Sequence, residues 1–213
     1  MDAVYILGSG SVAENKEILY SVRSLFLHML DLENVYVIGE KPELVPGAIH
    51  ILADDPYKEK WKNALHKTKI ACAHPDISED FVLMNDDFFA LQPFNGFELD
   101  FFALKNSNGG LNGQHFFGIH CPIRINKEWY SNLPLDVEMK GDYSPRSFYC
   151  NFYKAPPRFI SDVVIRTGEN QPPFKDQIRG LEFFSVSNDA MLDSSFVESL
   201  GDLYDIKSPL ESL

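Results

Sequence analysis

Cysteine is scarce in this chain. Cys72, Cys121 and Cys150 are the only three among 213 residues, and they fit neither a metal-ligand spacing nor an even disulfide framework. Free thiols in a reducing compartment are what such a count predicts. Long apolar runs are missing as well. No window approaches the roughly 18 uninterrupted apolar residues of a membrane-spanning helix. Met1 to Leu7 carries no basic stretch ahead of an apolar region, so no secretory leader is expected, and the predicted setting is cytoplasmic with no transmembrane segment. Basic side chains are in deficit, 19 Lys and Arg against 31 Asp and Glu, for a formal charge of −12. That balance excludes strong non-specific attraction to a nucleic-acid backbone, while leaving room for a local basic pocket that takes one small anion. Aromatic side chains are plentiful: 17 Phe and 9 Tyr within a 45% hydrophobic composition supply the core of one ordinary domain.

Apolar spacing gives the element order. Ala3 to Leu7 reads as a short buried strand, followed by a tight Gly8-Ser9-Gly10-Ser11 loop. Ile18, Leu19, Val22, Leu25, Phe26, Met29 and Leu30 recur at helical spacing. Strands are expected at Asn34–Ile38, His50–Leu52 and from Phe81, with a polar, Lys-rich helix between Tyr57 and Ala73. Strand–helix–strand–helix–strand order predicts an α/β fold with a largely parallel sheet. Further on, Phe97–Leu104 reads as a strand and Asn106–Gly113 as a flexible loop, either a lid or a plain connector. Lys127–Leu133 and Pro145–Lys154 read as short helices, Phe183–Val186 as a late strand, and Ser194–Tyr204 as a helix. No repeat or linker divides the chain, so 1–213 is expected to be one domain, with 1–95 as a nucleotide-binding half and 96–213 as an acceptor half.

The densest chemistry lies at Phe81-Val82-Leu83-Met84-Asn85-Asp86-Asp87. A strand-type run ends there on an amide and two adjacent carboxylates, and like charges at a buried strand end cost free energy unless a cation is present. A divalent metal bridging substrate phosphates is one such cation; a turn or helix cap is the alternative use. Gly8 to Ala13 fits G-x-G-x-x-A, a loop that can offer N–H groups to phosphate. Glu40 is then available as the ribose-binding acid of a dinucleotide site, although Asn15 and Lys16 interrupt the turn. His120 precedes Cys121-Pro122; imidazole carries protons near neutral pH, and a structural histidine is the alternative. Arg146 falls in the first turn of a helix, the wrong end for a cation, so a bound anion or a salt bridge is expected beside it. Arg23 lies on the polar side of the first helix. Ser187-Asn188-Asp189 ends a second buried strand and echoes the Asn-Asp-Asp motif.

In order along the chain, these pieces resemble the Stealth family of sugar-1-phosphate transferases. Glu17 to Leu25, Val35 to Pro42 and Phe81 to Asp87 resemble that family's second conserved region, and Asp2 to Ser11 a divergent first. His120 to Lys127 with Arg146-Ser147 is similar to the third. Phe183 to Asp189 with Ser208-Pro209-Leu210-Glu211 is similar to the fourth. Ile6-Leu7-Gly8-Ser9 stands where the family has Trp-Val-Asp-Gly, and Leu19 where it has Arg. The resemblance implies a glycosyltransferase-A-like fold binding a nucleotide-sugar donor, with an acceptor hydroxyl attacking the sugar-proximal phosphorus and releasing a nucleoside monophosphate. By position it carries over Asp87 with Asp86, His120 and Arg146 as the catalytic set. In the mechanism these residues can support, Asp86 or Asp87 holds Mg²⁺ or Mn²⁺ with Asp189 completing the metal or sugar contacts, and Arg146, or Arg146 with Arg23, neutralises the diphosphate. His120 takes the hydroxyl proton, and Gly8, Ser9, Gly10, Ser11 and Asn188 bind the donor. The acceptor is a glycan or a modified DNA base. Three alternatives stand beside it: a metal-dependent glycosyltransferase releasing nucleoside diphosphate, an NAD(P)-binding oxidoreductase, and a non-catalytic carbohydrate-binding domain.

Overall fold

The computed structural model describes residues 1–9, 13–104, 115–141, 144–161, 163–168 and 171–212. The expected lid loop at Asn106–Gly113, and Gly10 and Ser11, lie outside them. The principal sheet contains β1 (Asp2–Leu7), β2 (Val35–Gly39), β3 (Ile49–Leu52), β4 (Asp80–Met84) and β7 (Ile123–Asn126), in the spatial order β3-β2-β1-β4-β7. The first four run parallel, with Tyr5 beside Val37 on one side and Met84 on the other. β7 closes the edge antiparallel, Phe81 facing Ile125. The α/β architecture with a mixed, mostly parallel sheet is as the element order predicts.

Strand periodicity explains the layering, because successive side chains leave opposite faces. Ala3, Tyr5 and Leu7 pack with Ile18, Val22 and Leu25 of helix α1 (Lys16–His28). Val4, Tyr36, Ile38, Phe81 and Leu83 point the other way, onto Trp61, Leu65 and Ala71 of helix α2 (Lys60–Ala73). A second sheet orders β5 (Phe88–Ala90), β10 (Phe183–Val186) and β9 (Val164–Ile165), and β6 (Phe101–Leu104) pairs with β8 (Pro157–Ile160). Its outer side is an aromatic layer in which Phe89 stacks on Phe184 with centroids 4.8 Å apart, and the Tyr204 hydroxyl donates to the Ala90 carbonyl at 2.7 Å. The expected strand at Phe97–Leu104 is shorter. Gly96–Glu98 is a 3-10 turn that the Asn95 side chain caps, and only Phe101–Leu104 is strand.

Arg23 has a different place from the one expected for it beside a diphosphate. On α1 its guanidinium donates to both Glu211 carboxylate oxygens, at 2.9 and 2.7 Å, and to the Tyr204 carbonyl at 2.9 Å. It lines neither hollow described below. Both side chains of the pair are about nine-tenths covered, 11% and 10% exposed, and a bidentate guanidinium–carboxylate contact of that kind is a strong one. It fastens the C-terminal turn to α1. Glu211→Gln is expected to cost about 1–3 kcal/mol. The Arg23 hydrogen bond holds the Glu211 carboxyl below its ordinary value of 4.5. Stability from a depressed carboxylate is present above the unfolded pKa and is lost as pH falls through the folded one. Thermal melts of wild type and Glu211→Gln should therefore differ at pH 7 and converge as pH falls through the depressed folded value. A gap unchanged by pH would refute the pairing.

Candidate functional site

From β1 the chain steps outward through β2 and β3, then α2 carries it back across to β4 on the opposite side of β1. Strand order therefore reverses between β1 and β4, and in open α/β sheets the ligand crevice lies at the carboxyl ends of the strands at such a reversal. A cleft of about 540 Å³ opens there. Gly8 and Ser9 come from the end of β1, Asn85, Asp86 and Asp87 from the end of β4, and Lys67 from α2. Ser187 caps the helix α6 (Asn188–Leu192) that follows β10, and this turns Asn188 onto the same wall. The next residue, Asp189, is exposed and does not line the cleft. Among the described residues four acids line the cleft: Glu17, Asp55 and the adjacent pair Asp86 and Asp87.

That pair is electrostatically loaded. Burial, then the charge of Glu17, pushes the Asp86 carboxyl up to about 6. Burial, then Asp86 itself, pushes Asp87 up to about 7, while Arg146 and the Ser185 hydroxyl pull the other way. Glu17 sits buried in the first turn of α1 and lines the cleft. Among the described residues no three His, Cys, Asp or Glu side chains gather closely enough to hold a metal by themselves. The donor set nevertheless fits Mg²⁺ or Mn²⁺, because such ions take one or two carboxylates and fill their remaining positions with substrate phosphates and water. Asp86 and Asp87 are the residues that would hold it.

A second hollow of about 180 Å³ adjoins the cleft, and the two share Ile6, Ala64 and Asn85. His120 and Arg146 line it. Arg146 belongs to helix α4 (Pro145–Phe152), which Ser144 caps by accepting the Ser147 N–H. Its guanidinium donates to the Cys121 carbonyl at 2.6 Å and to Asn85 Oδ1 at 3.1 Å, and lies 4.8 Å from the centre of the Phe88 ring. Both of these acceptors are uncharged groups. Burial lowers the guanidinium pKa to about 10, and the Asp87 charge opposes that fall. His120 meets the same Phe88 ring edge-on, with centroids 6.3 Å apart. Asp87, His120 and Arg146 thus converge around Asn85 and Phe88 from three separate stretches of sequence.

Other expectations fare differently. Ser9 does face the cleft, but its N–H and hydroxyl both donate to Asp55 Oδ2, at 2.9 and 3.3 Å, so that N–H is already taken by a carboxylate. Glu14 and Asn15 take left-handed conformations ahead of α1, which separates the glycine loop from the helix start. Glu40 accepts from the Asn15 amide at 3.2 Å and lines a neighbouring hollow, so the acid needed for a dinucleotide ribose is outside this cleft. Sequence reasoning missed Glu17, Asp55 and Lys67. Glu17 reads as an ordinary acid of a first helical turn, and Lys67 as one lysine of a polar face.

No family model matches the chain, and no curated protein matches it. Solved structures do. The galactosyltransferase LgtC, in complex with donor and acceptor sugar analogs, superposes with a TM-score of 0.58 at 10% identity, over 98% of this chain and 96% of that one. The inositol-1-phosphate CTP transferase from T. maritima gives 0.56 at 13% identity, over 97% of both chains. At such identities the likeness shows the fold: it is glycosyltransferase-A-like.

Proposed function

We propose that this chain is a nucleotide-sugar-dependent transferase that moves sugar-1-phosphate onto an acceptor hydroxyl and releases a nucleoside monophosphate, as in the Stealth family it resembles. One observation carries the choice. A histidine and a half-buried arginine that donates to two uncharged groups share a small hollow that opens beside two adjacent carboxylates. A proton acceptor and an anion-binding guanidinium on one side, with a cation-demanding acidic pair on the other, suit in-line displacement at phosphorus. The two solved neighbours support the donor class: one is a galactosyltransferase holding donor and acceptor sugar analogs, and the other a CTP transferase of inositol-1-phosphate.

In this reading, residues 1–95 provide the donor wall and the acidic pair, and residues 96–213 provide His120 and Arg146. Asp86 and Asp87 would hold a Mg²⁺ or Mn²⁺ ion, which would supply charge neutralisation for the diphosphate. Arg146 binds an oxygen of the transferring phosphoryl group, and the neutral acceptors at Cys121 and Asn85 fix its orientation. His120 takes the proton of the acceptor hydroxyl as the new O–P bond forms. The bond from phosphorus to the nucleoside monophosphate oxygen breaks, and that oxygen leaves with the electron pair. Asn188, which lines the same cleft, contacts the donor.

The released nucleotide tests this directly. Purified protein is incubated with Mg²⁺, a panel of nucleotide sugars and glycan acceptors, and products are resolved by anion exchange. Nucleoside monophosphate with a sugar–phosphate–acceptor diester is the expected result. Nucleoside diphosphate would mean attack at the anomeric carbon, and pyrophosphate released in a parallel incubation with nucleoside triphosphates and sugar 1-phosphates would mean nucleotidyl transfer.

A further inference from the structure

We propose that Lys67 and Asp55 are positioning residues of the donor wall: their ion pair, anchored on the end of β1, sets the backbone at Gly8 and Ser9 against which the nucleotide sugar binds. This rests on the donor reading above.

The geometry is a short chain of contacts. Lys67 is only 3% exposed although it lies on the most lysine-rich helix. Its ammonium donates to the Leu7 carbonyl at 2.7 Å and pairs with Asp55 Oδ1 at 2.5 Å. The other Asp55 oxygen accepts the Ser9 N–H and hydroxyl. One cation therefore ties together the tip of β1, helix α2 and the loop after β3, and the loop residue in turn grips the segment that lines the cleft. Burial alone would raise the Asp55 carboxyl, yet the Lys67 and Ser9 hydrogen bonds hold it below its usual value.

Gly39 shows that room for this contact is built into the neighbouring strand. It has φ +124°, and a Cβ there would sit 2.0 Å from the Leu7 oxygen and 3.0 Å from the Lys67 nitrogen. A side chain at that position would displace the carbonyl that receives the lysine. Holding these elements together would not by itself require charge, because a well-packed apolar pair does as well or better in a protein interior. Ions and directed hydrogen bonds are suited to fixing backbone geometry at a site. Lys67, Asp55 and Ser9 all line the 540 Å³ cleft, so the contact stands where geometry matters.

The test compares wild type with Asp55→Asn, Lys67→Met and Lys67→Arg. Without any ligand, amide hydrogen exchange at Ser9 should speed up about 10-fold or more in Asp55→Asn and Lys67→Met, with the β2 amides unchanged. With a nucleotide sugar that wild type consumes, KM should rise roughly 10–100-fold in those two variants while kcat stays within about threefold; Lys67→Arg should keep KM close to wild type. Unchanged Ser9 exchange in Asp55→Asn overturns the proposal, as does a KM equal to wild type. If Lys67→Met does not fold, Asp55→Asn, which preserves shape, decides alone. If wild type binds no nucleotide sugar, the donor reading fails, and the exchange measurement still decides whether the ion pair sets Ser9.

Discussion

Asp87→Asn is expected to lower turnover by about 10³-fold or more while leaving the fold intact and slightly more stable. The two halves of that result have one cause. Asp87 follows directly on Asp86, and burial with that neighbour raises its pKa to about 7. An isolated pair of buried like charges works against folding, so replacing one carboxylate by an isosteric amide relieves the free chain. In metal-free buffer at pH 8 the variant should gain on the order of 1 kcal/mol, or about 2–4 °C in melting temperature. The same change removes one of the two carboxylates available to a divalent ion and leaves the diphosphate charge poorly balanced. Calorimetry in chelator and initial rates in Mg²⁺ give the two measurements. Wild type should also show a rise in melting temperature on adding Mg²⁺ with donor, through preferential binding to the folded state, and the variant should lose most of it. Activity within tenfold of wild type would remove Asp87 from the centre of the mechanism.

Much of this arrangement is legible in the chain, for identifiable reasons. β1, α1, β2, α2, β4 and β10 stand out because each buries a regular apolar set, and regular burial leaves a regular pattern. Residues that end elements are harder. Helical spacing runs on to Leu30, whereas α1 stops at His28 because Met29 is extended. Leu30 is left 72% exposed. β5 is hidden because its three residues look like the aromatic tail of the Asn-Asp-Asp motif, and its partner strand β10 begins more than ninety residues later. β7 sits directly behind Cys121-Pro122, where a proline reads as a bend, and its sheet position depends on pairing with the distant β4. The acidic pair is visible from local physics alone. The grouping of His120 and Arg146 with it came from family likeness, since no spacing rule links positions 87, 120 and 146. Arg23 shows the opposite outcome. As a cation on the polar side of α1 it is expected either in solvent or beside the diphosphate, yet its partner Glu211 lies 188 residues away, and a pairing of that range leaves no local signature. Lys67 was overlooked because a lysine on a polar helix reads as solvated until the strand tip beside it is known.

His120→Ala is the other substitution with a large expected effect, and its form separates chemistry from binding. The imidazole shares its hollow with Arg146 and touches the Phe88 ring, while the cleft walls at Gly8, Asp86 and Asn188 do not include it. Removing it should lower kcat by about 10²–10⁴-fold, the usual contribution of a positioned acid or base. Donor affinity, measured by calorimetry with a nucleotide sugar and Mg²⁺, should change by less than about threefold. The pH dependence adds a second check. A group that acts as a base on the bound complex leaves a limb in the kcat profile below its ionisation, and the alanine variant should lose that limb. Added imidazole should restore part of the lost rate, because the vacated space opens on the 180 Å³ hollow. A variant with normal kcat would show that the acceptor proton leaves by another route. A variant with normal kcat but weakened donor binding would instead move His120 to the donor wall. Attack at phosphorus and attack at the anomeric carbon both need the acceptor hydroxyl deprotonated, so the kinetic outcome at His120 identifies the base, and the released nucleotide identifies the atom attacked.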